Sequence, residues 1–213
     1  IYALGVTVSV DGRHITVGVS NGIMKVSNDF GLSFVSKGPS AGNRVVSMSA
    51  DGSMQMAVGF QSTGRDGTLY TSQDYWTTWT QHQTDVTTWR TGTVSLDGNV
   101  LIAVGFGTSV YMSIDRGVTW KKNTQFAENE MVTDFALSQD GSVILALRIN
   151  KPLYVSTDKG VKFQEKEIVR EYYSAAMSLT GEIQTVVVNG GGTYVSNDFG
   201  STWNIKRRVF SEV

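Results

Sequence analysis

The 213-residue chain contains no cysteine, only two prolines and only two histidines. Without cysteine there is no disulfide and no thiolate metal site, and the redox compartment is left open. Charge of one sign is missing as well: 18 Lys and Arg stand against 19 Asp and Glu, a net charge of −1 with no acidic or basic block. That excludes a binder that holds nucleic acid through phosphate charge. No apolar run approaches the ~20 residues needed to cross a bilayer as a helix, so no membrane insertion is expected. The opening Ile1-Tyr2-Ala3-Leu4-Gly5 has neither an initiator Met nor a charged leader, so a targeting segment is expected to be absent or already removed. Convincing helical periodicity is lacking too, and only Phe126 to Val132 reads as a turn of helix.

What the chain does have is a repeat. The pattern Ser, any, Asp, any, Gly, any, any, aromatic appears as Ser113-Ile114-Asp115-Arg116-Gly117-Val118-Thr119-Trp120, and again at 27–34, 72–79, 156–163 and 196–203. A second signature precedes each box: Ser9-Val10-Asp11-Gly12, Ser49-Ala50-Asp51-Gly52, Ser95-Leu96-Asp97-Gly98, Ser138-Gln139-Asp140-Gly141 and the weaker Ser178-Leu179-Thr180-Gly181. Asp-Gly between alternating apolar residues is a hairpin signal, because glycine supplies the positive φ of the turn. The interval from this turn to the box Asp is 18 residues in four units and 23 in the unit of Asp51 and Asp74. Each unit is therefore about forty residues, the size of a four-stranded propeller blade.

Period-2 alternation rich in Val, Ile, Tyr, Thr and Trp places four strands in each unit. In the third these are Arg90–Ser95, Val100–Phe106, Ser109–Ser113 and Val118–Lys122. The expected fold is all-β: one five-bladed β-propeller domain over 1–213, with units near 1–38, 39–84, 85–125, 126–167 and 168–213 and box hairpins between strands C and D of each blade. Joining the 15 residues after Asp198 to the 11 ending at Asp11 gives a 26-residue interval, close to the 22 to 25 elsewhere. A closed ring with neighbouring termini is the expectation.

In each box the Asp carboxylate is expected to accept hydrogen bonds from turn amides and the Ser hydroxyl, and the glycine to be left-handed. The terminal aromatics Phe34, Trp79, Trp120, Phe163 and Trp203 are expected to fill the space between sheets. Asp29, Asp74, Asp115, Asp158 and Asp198 each sit in their own turn, so they read as structural, with no shared metal ion and no cofactor. The second box carries Trp76 in place of glycine, where a left-handed Trp is costly. Its turn is expected to have another shape, with an exposed Tyr75-Trp76 pair.

These boxes resemble the Asp-box, or bacterial neuraminidase repeat, propellers, over essentially the whole chain. The resemblance implies box turns on the side away from the ligand face, and it points to an extracellular or surface location. It is specific for the fold and poor for function, since that family includes sialidases, other glycosidases, sorting receptors, assembly factors and lectin-like modules.

Both repeated signatures lie on one face, so function is expected on the other, among the D-to-A and B-to-C loops. Counting back eight residues from each turn position along strand A gives Ala3, Asn43, Trp89, Val132 and Tyr172 at an expected channel mouth, flanked by Arg44, Arg90 and Tyr173. Asp134, six before Asp140, is the one carboxylate whose register aims it inward. The loops Gln61–Gly67 and Arg148–Pro152 are expected around that rim. Trp89 and Tyr172 beside Asn43, Arg44, Arg90, Asp134 and Tyr173 form either a glycan or polar-ligand cup or a plug. Asn189-Gly190-Gly191-Gly192 precedes a strand, so it reads as a hairpin turn and not as a phosphate loop.

Three functions follow. The first is a non-catalytic module recognising a glycan or a protein. The second is a glycoside hydrolase, for which Asp134 is the catalytic candidate with Glu130 or Glu171 as partner, since two carboxylates about 5–10 Å apart are needed. The sialidase pattern wants an Arg-Ile-Pro segment, which does not occur, and Arg44 with Arg90 makes only a partial arginine cluster. The third is a structural or assembly component. Oligomeric state is open.

Overall fold

The computed structural model describes residues 2–60, 67–106, 109–126, 131–190 and 192–206. Their regular structure is all strand, with no helix. Two compact units, Ile1–Thr124 and Gln125–Val213, divide the chain, and each is described by itself.

The first unit holds three antiparallel four-stranded sheets. The first runs β1 (Ala3–Val8), β2 (Ile15–Val19), β3 (Ile23–Ser27), β4 (Val35–Ser40); the second β5 (Gly42–Met48), β6 (Gln55–Phe60), β7 (Gly67–Ser72), β8 (Thr80–His82). The third runs β9 (Trp89–Val94), β10 (Leu101–Gly105), β11 (Val110–Ser113), β12 (Lys121–Lys122). The second unit holds two: β13 (Val132–Leu137), β14 (Ile144–Arg148), β15 (Lys151–Ser156), β16 (Gln164–Arg170), then β17 (Tyr172–Met177), β18 (Gln184–Val188), β19 (Gly192–Ser196), β20 (Asn204–Lys206). Within every sheet, spatial order follows chain order, as tight hairpins require.

Two staples build each sheet. In the A-to-B turn, Ser9 Oγ donates to Asp11 Oδ1 at 2.6 Å and accepts from His14 N at 2.9 Å. In the box, Ser113 Oγ donates to Asp115 Oδ1 at 2.7 Å and accepts from Gly117 N at 2.9 Å. Thr119 N and Thr119 Oγ1 donate to the two Asp115 oxygens at 2.9 and 2.6 Å. The same bonds recur at Asp29, Asp74 and Asp198. They hold the Asp29, Asp115 and Asp198 carboxyls down at about 2, the largest contribution in each coming from the residue four positions on.

The box turn needs two successive left-handed residues, Arg116 at φ 59° and Gly117 at φ 77°. The second box keeps this shape, with Tyr75 at 57° and Trp76 at 59°, against the expectation of a different turn. Trp76 is not exposed either: it is 1% accessible, packed with Met24, Val26, Ala41, Val46, Ala57 and Tyr70. Its Nε1 donates to Gln55 Oε1 at 2.6 Å, and that oxygen also accepts from Thr16 Oγ1. Burial of the indole offsets the strain of the left-handed position. Tyr75 stacks on His14 at 4.2 Å. With Trp76 inside, the box aromatic Trp79 stays 45% exposed, as is Phe34, so not every box aromatic fills a space between sheets.

Neighbouring sheets within a unit are tied by main chain. Val10 N donates to Ala50 O, Ala50 N to Leu96 O, and in the second unit Gln139 N to Leu179 O.

Candidate binding site

Every A strand carries an irregularity at the same place. Ala3 and Gly5 pair with the adjacent residues Val19 and Gly18, so Leu4 is an extra, bulged residue. Arg44, Arg90, Thr133 and Tyr173 are bulged in the same way. A bulge shifts the alternation by one residue. The position eight before the turn therefore falls on the face of the positions three and five before it, turned into sheet packing.

This corrects the expected cup. Trp89 and Asn43 are fully buried and Tyr172 is 3% exposed, so none of the three presents a face to a ligand. Trp89 packs among Met54, Met56, Val58, Leu69, Val86 and Leu101, edge-on to Tyr111 at 5.9 Å. Asn43 donates from Nδ2 to Pro39 O and Ala41 O. Tyr172 lies among Leu145, Leu147, Leu153 and Val186, and burial pushes its hydroxyl up to about 12.

Of the bulged residues whose side chains are described, Leu4 and Tyr173 are exposed and Arg90 and Thr133 half-buried. Tyr173 is 62% exposed, and Arg90 holds its guanidinium 5.8 Å from the exposed Phe106 ring. The Arg44 side chain, Glu130 and residues 61–66 lie outside the described residues.

Asp134 is occupied. Its Oδ1 accepts from Phe135 N at 2.9 Å, and its Oδ2 accepts from Ser174 Oγ and Ala175 N at 3.0 Å, joining the two sheets of the second unit. Glu171 accepts from Asn189 Nδ2 at 2.5 Å. Arg148, expected on the rim, is fully buried: it donates to Pro152 O and Glu165 Oε1 and lies 3.5 Å over the Tyr154 ring. Among the described residues no three His, Asp or Glu side chains gather to hold a metal ion.

A cavity of about 440 Å³ opens on the loop side of the first unit, lined by Gly67, Gln81, His82, Gln83, Thr84, Asp85, Val86 and Thr87. It belongs to one D-to-A connection, from β8 toward β9, with Gly67 at the end of a B-to-C loop. Glycine is required there, since an added Cβ would stand 2.4 Å from Val86 O and 3.0 Å from Trp89 Nε1. That indole nitrogen is buried and has no hydrogen-bond partner among the described residues.

Asp85 anchors one wall, accepting from Tyr111 Oη and Lys122 Nζ, each at 2.8 Å. These two bonds, the lysine's first, hold its carboxyl below the usual carboxylate range. With Asp85 paired to Lys122, the wall carries no uncompensated charge. His82 Nε2 lies 2.8 Å from Thr71 Oγ1, its ring centroid 5.7 Å from that of Trp120, and burial lowers its pKa. The lining is mostly amide, hydroxyl and backbone, with the His82 imidazole, the Asp85 carboxylate and Val86, and with no Trp, Tyr or Phe ring. Sequence reasoning missed it. Its one signal is the run Gln81-His82-Gln83-Thr84-Asp85, which lacks the apolar alternation seen elsewhere.

No protein-family model and no curated protein matches the chain. Solved structures do resemble it. A GH74 enzyme of Niastella koreensis superposes with a TM-score of 0.65 at 20% identity, over 93% of this chain and 29% of that one. YCF48 bound to D1 peptide gives 0.64 at 13%, over 96% and 68%. The β-propeller domain of Cps50 (Swd1) from Myceliophteria thermophila gives 0.63 at 13%, over 91% and 64%. The chain thus spans less than a third of the GH74 enzyme's length. At such identities the shared property is the fold, and five four-stranded antiparallel sheets make this chain a five-bladed β-propeller.

Proposed function

We propose that the chain is a non-catalytic interaction module of the Asp-box propeller type that binds a protein segment at the Gln81–Thr87 cavity. The observation that carries this reading is the cavity itself: hydrogen-bonding, charge-compensated and without a Trp, Tyr or Phe ring in its lining. Sugar recognition would draw on a stacking platform, and the two aromatics best placed for one, Trp89 and Tyr172, are buried. The glycosidase reading loses support because Asp134 already accepts three hydrogen bonds, two of them tying it to the neighbouring sheet. Propellers serve both enzymes and binding proteins, so the fold does not choose between them. The YCF48 neighbour holds a peptide, which suits the present reading.

The test is selection of a peptide-display library and a glycan array on the whole chain, followed by titration of the selected ligand. Thr84→Arg, which fills the cavity, is expected to weaken a selected peptide at least tenfold. Peptides that bind Thr84→Arg unchanged, or binding to glycans alone, would contradict the proposal.

A further inference from the structure

Residues paired across two strands share a face, and the registers repeat from sheet to sheet. The pairs Val6–Val17 and Val8–Ile15 of the first sheet correspond to Val46–Ala57 and Met48–Gln55 of the second, and to Gly92–Ala103 and Val94–Leu101 of the third. In the second and third sheets this front face packs on the back of the preceding sheet. Met24 and Val26 lie with Val46 and Ala57, and Met56 and Val58 with Val94, Leu101 and Ala103, all buried. The front of the first sheet is equally apolar but open: Val6 is 68% and Val8 55% exposed, beside the half-buried Ile15 and Val17. An antiparallel sheet that keeps one face in water turns polar residues outward. Here the outward residues are aliphatic, as in a sheet covered on both sides.

The fifth sheet is open on its other side. Leu145 and Leu147 on the back of the fourth sheet are buried against Val186, Ala175 and Met177 on the front of the fifth. Their counterparts on the back of the fifth sheet are Thr185, half-buried, and Val187, 41% exposed. One chain thus carries an open front and an open back, the two halves of a contact that its own successive sheets make elsewhere. We propose that a second copy of this chain seats the back of its fifth sheet on the front of the first sheet, continuing the sheet-on-sheet stacking from one molecule to the next. A second copy fits these faces because it brings the half that each one lacks. The contact is heterologous, front to back, so it leads to a ring of copies or to a growing array and not to a two-fold dimer. It does not involve the Gln81–Thr87 cavity.

The test is light scattering after size exclusion on the whole chain, over a concentration series. At about 10–100 µM the mass should be at least twice the 23.2 kDa of one chain. Val8→Asp places a charge on the front and Val187→Asp on the back, and each should weaken self-association at least tenfold. Each variant keeps the face that the other has lost, so an equimolar mixture should restore a 1:1 pair. Both side chains are substantially exposed, so neither change should unfold the chain, which circular dichroism checks, and Val6→Asp repeats the front test independently. A wild-type mass of 23.2 kDa throughout the series would assign these faces to another occupant and overturn the proposal. So would assembly that Val187→Asp leaves intact, or a mixture of the two folded variants that stays monomeric.

Discussion

The box turns and the Gln81–Thr87 connection are both short, polar and accessible, yet they differ in how far their hydrogen bonds are used. In the Ser113–Trp120 turn the Ser hydroxyl, both Asp oxygens, the glycine amide and the Thr119 amide and hydroxyl are all engaged locally. Along 83–87, three backbone donors have no described partner, whereas a buried indole nitrogen without one, Trp89 Nε1 or Trp120 Nε1, accompanies both regions. A polar segment that satisfies itself has nothing to offer a ligand. One that leaves donors beside a cavity does.

The largest effect is expected where the box pattern itself is broken. Trp76→Ala removes a buried indole and the partner of Gln55, and should cost about 3–4 kcal/mol in chemical denaturation. Trp76→Gly loses the same contacts but relieves the left-handed strain, so it should be about 1 kcal/mol less damaging than the alanine variant. An equal loss in the two would mean that the turn is not strained.

Next comes the self-satisfied turn. Asp115→Ala removes the acceptor of three bonds and should cost about 2 kcal/mol in unfolding while leaving peptide affinity unchanged. A change in affinity would give the box a direct role in binding.

The smallest effect is expected with pH. Asp29, Asp115 and Asp198 titrate at about 2 in the folded chain against an ordinary 3.8. Their contribution is complete above the unfolded value and is lost as pH falls through the folded one. The denaturation midpoint should therefore hold from pH 7 to about 5 as far as these groups are concerned, and fall between about 4 and 2. Asp115→Asn should flatten part of that fall.

The five sheets were legible because the box and the Asp-Gly turn repeat with fixed residue types, each needed for a staple or a positive φ. The candidate site was not legible in the same way. Leu4, Arg44, Arg90, Thr133 and Tyr173 share no chemistry, so nothing in the sequence marks them as bulged. Simple alternation consequently assigned Asn43, Trp89 and Tyr172 to the wrong face. Trp76 misled for a related reason: its backbone cost was visible, whereas its bond to Gln55, 21 residues away in sequence, was not. The cavity depends on Gly67 lying against Val86, a tertiary contact that no local pattern encodes.

The contrast between saturated turns and an unsaturated connection is read most directly by amide hydrogen exchange on the free chain at single-residue resolution. Gly117 and Thr119 should be protected by their side-chain acceptors, while Gln83, Thr84 and Thr87 should exchange near the rate of an unstructured peptide. Protection of those three amides equal to that of the box turn, with no ligand present, would mean that the donors are already claimed, and would contradict the assignment of the site.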